Sequence, residues 1–253
     1  MVFVTGDCHG DFRKFNERFF PIQDELTRDD IMIVCGDFGI WNDDASERWW
    51  FQQLSKKPFT IVFVDGNHEN FDRLYSDEFP IVDFHGGKAH RIRENIYHMM
   101  RGGVFDFDGK SFFCFGGASS HDIRDGILDR ANYANDKDFY SEVKLYSKQN
   151  KIFRINHLSW WEQELPSQEE MEFGLKNLAE HGNKVDYIIT HSCPQQVASV
   201  FSFGRFKPDI ITKYFDEIAV NVEFERWYFG HLHDNRRIID KYELLYEQIV
   251  QIL

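Results

Sequence analysis

The run Val2-Phe3-Val4-Thr5-Gly6-Asp7-Cys8-His9-Gly10 opens the sequence, and Ile31-Met32-Ile33-Val34-Cys35-Gly36-Asp37 repeats its plan. Each is a short apolar run, rich in β-branched residues, that breaks at Gly-Asp. That is the pattern of a buried strand followed by a sharp turn. A third run, Phe59–Val64, ends in Asp65-Gly66-Asn67-His68-Glu69. Between the first two runs, Phe12, Phe15, Phe19 and Phe20 stand at helical spacing. Between the second and third, Ser46 to Leu54 carries Trp49, Trp50 and Phe51 in another helical pattern. Strand, helix and strand at these intervals predict parallel βαβ units in a sheet covered on both faces, an α/β fold.

Working outward, Ile96–Met100, Val104–Phe107 and Ser111–Phe115 read as strands, with Phe107-Asp108-Gly109-Lys110 as a hairpin turn. A helix is expected around 136–149. Ser167 and Glu170 form a capping-box pattern that starts a helix running to about His181. Val185–Thr190 leads into His191, Ile210 to Ala219 is helical, and Phe224–Phe229 leads into Gly230-His231-Leu232-His233. Strand-like runs over Arg237–Asp240 and Leu244–Val250 follow. No repeat or Pro/Gly/Ser linker divides the 253 residues, so a single domain over 1–253 is expected. Residues 118–165 match no motif and lie between two motif groups, which marks them as a specificity insertion.

Composition excludes several classes. With 42% hydrophobic and 17% aromatic residues the chain is too apolar for intrinsic disorder. Its apolar runs are far shorter than a membrane span, and no signal-peptide pattern is visible at the start, so a cytoplasmic protein is expected. A net charge of −13 counts against sequence-blind nucleic-acid binding. Cys8, Cys35, Cys114 and Cys193 have no CxxC spacing and read as reduced, small apolar residues.

Five run ends carry the chemistry: Gly6-Asp7-Cys8-His9-Gly10, Gly36-Asp37-Phe38, Gly66-Asn67-His68-Glu69, Thr190-His191 and Gly230-His231-Leu232-His233. Ligands gather beyond the carboxyl ends of strands in open α/β sheets. Asp7 and His9 would alternate along extended backbone and face one ion together, and His231 and His233 would do the same. Asp37 stands alone, and its two oxygens suit a bridge between two cations. Imidazole, carboxylate and amide donors together fit manganese, iron, zinc or cobalt better than calcium or magnesium.

The ordered set GD-x-H, GD, GNHE, H and GH-x-H, from Asp7 to His233, resembles the calcineurin-like metallophosphoesterase superfamily. The resemblance implies a four-layer αββα sandwich of two mixed sheets flanked by helices. It implies two divalent or transition-metal ions, manganese foremost. Asp7, His9, Asp37 and His233 would hold the first. Asn67, His191 and His231 would hold the second, with Asp37 between them. His68 would contact the scissile phosphate or protonate the leaving group. The implied activity is hydrolysis of a phosphate ester by metal-activated water, with Asp37 and His68 central to it and Asn67 and His68 touching substrate.

The opening motif and GNHE are similar to the protein Ser/Thr phosphatase branch, whose second motif continues as GD-x-VDRG. Here Ile40 stands at the orienting carboxylate and Trp41 at the phosphate-binding arginine. Asp65 replaces the arginine that often precedes GNHE. Loss of those arginines weakens recognition of a dianionic monoester. A phosphorylated small molecule or nucleotide is therefore expected as substrate, ahead of a phosphoprotein or a nuclease substrate. A metal-free scaffold on the same fold is the non-enzymatic alternative. Glu69, Asp43 or a backbone carbonyl would orient His68. His121, in a Gly/Ser-rich turn, and Trp41 have positional claims on the pocket. Arg124, Arg130, Arg205 and Arg236 are candidate phosphate contacts, and Trp160-Trp161 a core anchor or a lid. His85, His90, His98, His157 and His181 read as ordinary.

Overall fold

The computed structural model describes all 253 residues. Strands β1 (Val2–Thr5), β2 (Ile31–Val34) and β3 (Thr60–Phe63) pair in parallel, and helix α1 (Ala45–Ser55) connects β2 to β3. Every residue of these strands is buried, as continuous apolar runs require when both sheet faces are covered. Asp44 caps α1 by accepting the Glu47 N–H at 2.8 Å. After the short helix α2 (Phe71–Leu74) come β4 (Ile81–Phe84), β5 (Gly87–Arg93) and β6 (Ile96–Met99). They form a meander whose last strand lies parallel to β3.

Strands β7 (Gly103–Phe107) and β8 (Lys110–Phe115) form the expected hairpin, with Asp108 and Gly109 both at positive φ. The next segment holds β9 (Ile127–Leu128), α3 (Asp136–Lys148) and β10 (Arg154–Ile155). Helix α4 (Gln168–Glu180) starts at the Ser167–Glu170 capping box. Then come β11 (Tyr187–Thr190), α5 (Gln195–Ser202), α6 (Ile210–Asn221), β12 (Arg226–Phe229), β13 (Arg236–Ile238), β14 (Tyr242–Leu244) and β15 (Ile249–Gln251). The first sheet has the order β15-β1-β2-β3-β6-β5-β4 and the second β13-β14-β12-β11-β8-β7.

Alternation along the strands sorts side chains into three cores. Phe3, Met32, Val34, Ile61 and Phe63 face outward onto Phe12, Phe15, Phe38, Phe51 and Leu54. Val4, Ile33 and Val62 face the other way and meet Phe105, Phe112, Cys114 and Ile189 of the second sheet. Phe113, Phe115, Ile188 and Trp227 cover that sheet's far side beneath Met171, Val197, Ile211 and Phe215 of the helices. The layers are helix, sheet, sheet, helix, the αββα arrangement expected. The four cysteines are buried and free.

Two expectations are corrected. Residues 12–20 form no α-helix; 3-10 turns span Arg13–Phe15 and Pro21–Glu25. Phe12, Phe15 and Phe20 are buried whereas Phe19 is exposed, so the spacing records separate insertions into the core rather than one helical face. Pro21 keeps Phe20 out of the helical region and offers no amide donor. Nor is Leu244–Val250 one strand. β14 pairs with β12 in the second sheet, and β15 pairs with β1 in the first. The chain crosses between sheets over 245–248, where Asn235 Oδ1 accepts the N–H groups of Tyr246 and Gln248 at 2.8 and 3.2 Å.

Candidate metal centre

The segments that follow β1, β2, β3, β11 and β12 converge, and they bring seven sequence-predicted ligand candidates together in two adjoining groups, with His68 beside them. In the first, ligand atoms of Asp7, His9, Asp37 and His233 all lie within 4.8 Å of one another. His9 Nε2 is 3.0 Å from His233 Nε2, and Asp7 Oδ2 lies 3.1 Å from His233 Nε2 and 3.6 Å from His9 Nε2. In the second, His191 Nε2 is 3.3 Å from both Asp37 Oδ1 and Asn67 Oδ1. The His231 ring packs against that of His191 at a centroid distance of 5.0 Å. Asp37 touches both groups, the position a bridging carboxylate needs. His68 lies beside them, its ring 5.3 Å from that of His9 and 6.0 Å from that of Trp41.

Backbone geometry aims these side chains. β1 ends at Thr5 and β12 at Phe229. His9, Asp37, His231 and His233 lie beyond strand ends with φ of 50°, 46°, 68° and 48°. Left-handed turns, not strand alternation, therefore present the imidazoles, which corrects the extended-backbone expectation. They also part His233, in the first group, from His231, in the second. Non-glycine residues held there cost of order 1–3 kcal/mol each, strain that the surrounding packing must offset. Two motif glycines make the close approaches. A methyl group at Gly66 would overlap the Asp37 carboxylate, and one at Gly230 would overlap that of Asp7.

Hydrogen bonds fix the carboxylates and one tautomer. Asp7 Oδ1 accepts the His231 N–H at 3.0 Å, and Asp37 Oδ1 accepts the His68 N–H at 2.8 Å. His191 Nδ1 lies 2.7 Å from the Cys35 carbonyl, so it donates there and leaves Nε2 facing Asp37 and Asn67. Glu69 accepts the N–H groups of Phe38, Gly39 and Ile40 at 2.7, 3.0 and 2.8 Å. It shapes the loop after Asp37 and does not touch His68. Asp43 pairs with Arg48 at the surface. The His68 ring makes no hydrogen bond, and the charges facing it are those of Asp37, His9, Arg154 and His191.

The site attracts positive charge. Burial opposes a proton on His191, yet Asp37 and Asp7 overcome it and raise its pKa to about 10. Burial pushes both carboxyls up, but His191 together with His233, His9 and the His231 amide outweighs it at Asp7, and His191 together with His68 outweighs it at Asp37. Asp7 is held well below the usual carboxylate range and Asp37 at about 2. Burial lowers the His68 pKa, and burial with neighbouring His191 and His121 lowers that of His231 to about 3. Asp7 Oδ2 and Asp37 Oδ2 are buried and accept no hydrogen bond. An ionised oxygen buried without a partner is costly, and a cation at each removes that cost. Together with the mixed imidazole, carboxylate and amide donors, this fits a transition-metal centre.

The remaining candidates sort differently. Arg124, Arg130 and Arg205 bond Asp125, Asp136 and the Ser202 carbonyl, and Arg236 lies over Phe201; none touches the site residues. Trp161 is a core anchor, 1% exposed, and donates to Asp72 at 2.7 Å. His85 and His181 bond the Asp106 and Asn177 carbonyls, and His157 pairs with Asp72. Segment 118–165 contributes three residues that the motifs did not assign. Ser120 Oγ is 3.3 Å from Asn67 Nδ2, buried Glu164 holds Ser120, and His121 Nε2 lies 2.9 Å from His231 Nε2. The signal was present: β8 runs into Gly116-Gly117-Ala118-Ser119-Ser120-His121, the same apolar run, glycine and polar end as the five motifs.

No helix is long and apolar enough to cross a membrane. No curated protein matches the chain. The family model for calcineurin-like phosphoesterases matches residues 1–235, which takes in every ligand candidate and the strand ends that carry them. A carboxylate and imidazole cluster set on those ends is what a metal-dependent phosphoesterase requires, and the chain belongs to the calcineurin-like phosphoesterase family.

Proposed function

We propose that the protein is a binuclear metal-dependent phosphoesterase acting on a phosphorylated small molecule or nucleotide, with manganese as the first metal to test. The observation that carries this reading is the pair of orphaned oxygens, Asp7 Oδ2 and Asp37 Oδ2, in a cluster whose Asp37 adjoins two imidazole groups. Asp7, His9, Asp37 and His233 would hold one ion, and Asp37, Asn67, His191 and His231 the other. When bound, such a pair supplies Lewis acidity, which draws charge from phosphoryl oxygens and makes water a nucleophile near neutral pH.

The chain's own residues supply orientation and a proton. The Cys35 carbonyl fixes the His191 ring, and the His68 amide holds one oxygen of Asp37, so the donor set is preorganised. The His68 imidazole is half-buried beside the cluster and donates its proton to the departing ester oxygen. Trp41 packs between His68 and Trp161 where a phosphate-gripping arginine would weaken this apolar wall. That wall favours substrates with an organic or nucleoside body over a bare dianion held by a guanidinium fork.

With Mn²⁺ added, purified protein should hydrolyse an aryl phosphomonoester or phosphodiester. Metal-loaded protein that turns over neither overturns the reading. Asp37→Asn removes charge from the residue shared by both groups. It should cut the rate by more than the roughly 10–100-fold typical of lost outer-shell partners.

A further inference from the structure

We infer that His121 is a ligand of the second ion, so that this subsite holds three imidazoles against two in the first. The inference rests on the two-ion reading above and deepens it. β8 lies parallel to β11 with Phe115 opposite Thr190, so the residues after β8 emerge beside His191. This is a sixth strand end directed at the site, and nothing in the five-motif pattern accounts for it.

The loop is fixed. Glu164 is 1% exposed; its Oε1 accepts the Ser120 N–H at 2.9 Å and its Oε2 the Ser120 O–H at 2.6 Å. Ser120 Oγ in turn accepts from Asn67 Nδ2 at 3.3 Å, which turns the Asn67 carbonyl oxygen toward His191. The next residue is His121. Its ring stacks on Phe206 at 5.4 Å and 17° between planes, and its Nε2 points at His231 Nε2 from 2.9 Å.

Two imidazole nitrogens facing one another across about 3 Å occur once more at this centre, between His9 and His233 at 3.0 Å, where both belong to the first ligand group. A third such pair, His90 and His98 at 3.0 Å, has an ordinary explanation. His98 Nε2 donates to Asp65 at 3.1 Å, so its Nδ1 is free to accept from His90. The His121 and His231 rings have no other hydrogen-bond partner to fix their protons in that way. An ion seated to one side of the pair, within coordination reach of both nitrogens, would take up both lone pairs.

The second subsite would then comprise Asp37, Asn67, His121, His191 and His231, and the first Asp7, His9, Asp37 and His233. The imidazole-rich subsite should favour cobalt and zinc over manganese more strongly than its neighbour. The test is calorimetric titration of the full, chelator-stripped chain with Co²⁺, Zn²⁺ and Mn²⁺, with Co²⁺ absorption as a second readout. Wild type should bind two ions. His121→Ala should weaken one of them at least roughly tenfold, leave the other unchanged, and narrow the preference for Co²⁺ over Mn²⁺. His121→Gln, which fills the loop without an imidazole, should do the same and guards against a folding defect. Two ions bound with wild-type affinity by both variants would overturn the inference, even if KM for substrate rose. Wild-type protein that binds fewer than two ions would overturn the two-ion reading and this assignment with it.

Discussion

His68 shows how much a single residue depends on its surroundings. Its partner groups are gathered from four separate segments, and burial lowers its pKa below the ordinary imidazole value. In the acid role proposed for it, only the protonated ring can act, so kcat should fall as pH rises through that lowered value, earlier than a solvated histidine would allow. His68→Ala should slow esters of alkyl alcohols by about 10²–10⁴-fold. It should spare aryl esters, whose leaving groups need no proton. Equal loss on both classes, measured across a leaving-group series, would assign His68 to phosphate binding instead. His68, Asp7, His9, Asp37, Asn67, His191, His231 and His233 were all legible from their run ends. His121 was only half legible, because a Gly/Ser-rich turn has the same composition whether or not its histidine reaches a partner. Asp65 was legible only as a missing arginine, since its partner lies 36 residues away at Arg101.

Elements place these residues through turns more than through strands. Four site residues sit at positive φ just beyond their strands, so the turn glycines govern the site. Gly66→Ala is expected to displace the Asp37 carboxylate. Two-ion binding should be lost in calorimetry while the far-ultraviolet circular dichroism stays close to wild type, because the clash is local to the loop. Strand legibility was high wherever a run was buried on both faces, as in β1, β2, β3 and β11. It failed at β4, whose residues alternate between exposed and half-buried and carry no strong apolar signal. It failed differently at 12–20, where three phenylalanines at helical spacing are used one at a time by a 3-10 turn and the loop around it.

Across the whole molecule, a buried polar chain ties the first sheet to the segment that crosses toward the second. Arg101 Nε lies 3.1 Å from Asp65 Oδ2, His98 Nε2 lies 3.1 Å from Asp65 Oδ1, and His90 bonds His98. Arg101 also reaches the Gln163 carbonyl at 2.7 Å, fastening the end of segment 118–165. Asp65→Asn leaves the buried Arg101 charge with only the more exposed Glu170, 3.2 Å away, as counter-ion and should cost about 3 kcal/mol in urea unfolding. Burial opposes ionisation of Asp65, but Arg101 and His98 hold its pKa well below the usual range. Its contribution is therefore complete above the unfolded carboxylate value and lost as pH falls toward the folded one. Burial, with His98 beside it, lowers the His90 pKa to about 4. Between about pH 6.5 and 4 the unfolded state binds that proton more readily, so stability should fall as pH falls, by about 3 kcal/mol in all at 1.36 kcal/mol per unit. His90→Asn should flatten the urea midpoint over that window. Sequence by itself determined the strand runs, their parallel order, the layered α/β class and the residue types gathered for metal, because burial on both faces and sharp strand exits leave local marks. Tertiary structure alone decided that Leu244–Val250 serves two sheets, that left-handed turns rather than extended backbone present His231 and His233, and that His121 meets His231. Those outcomes depend on which strand lies beside which, and neither β8 against β11 nor β15 against β1 is a neighbour along the chain.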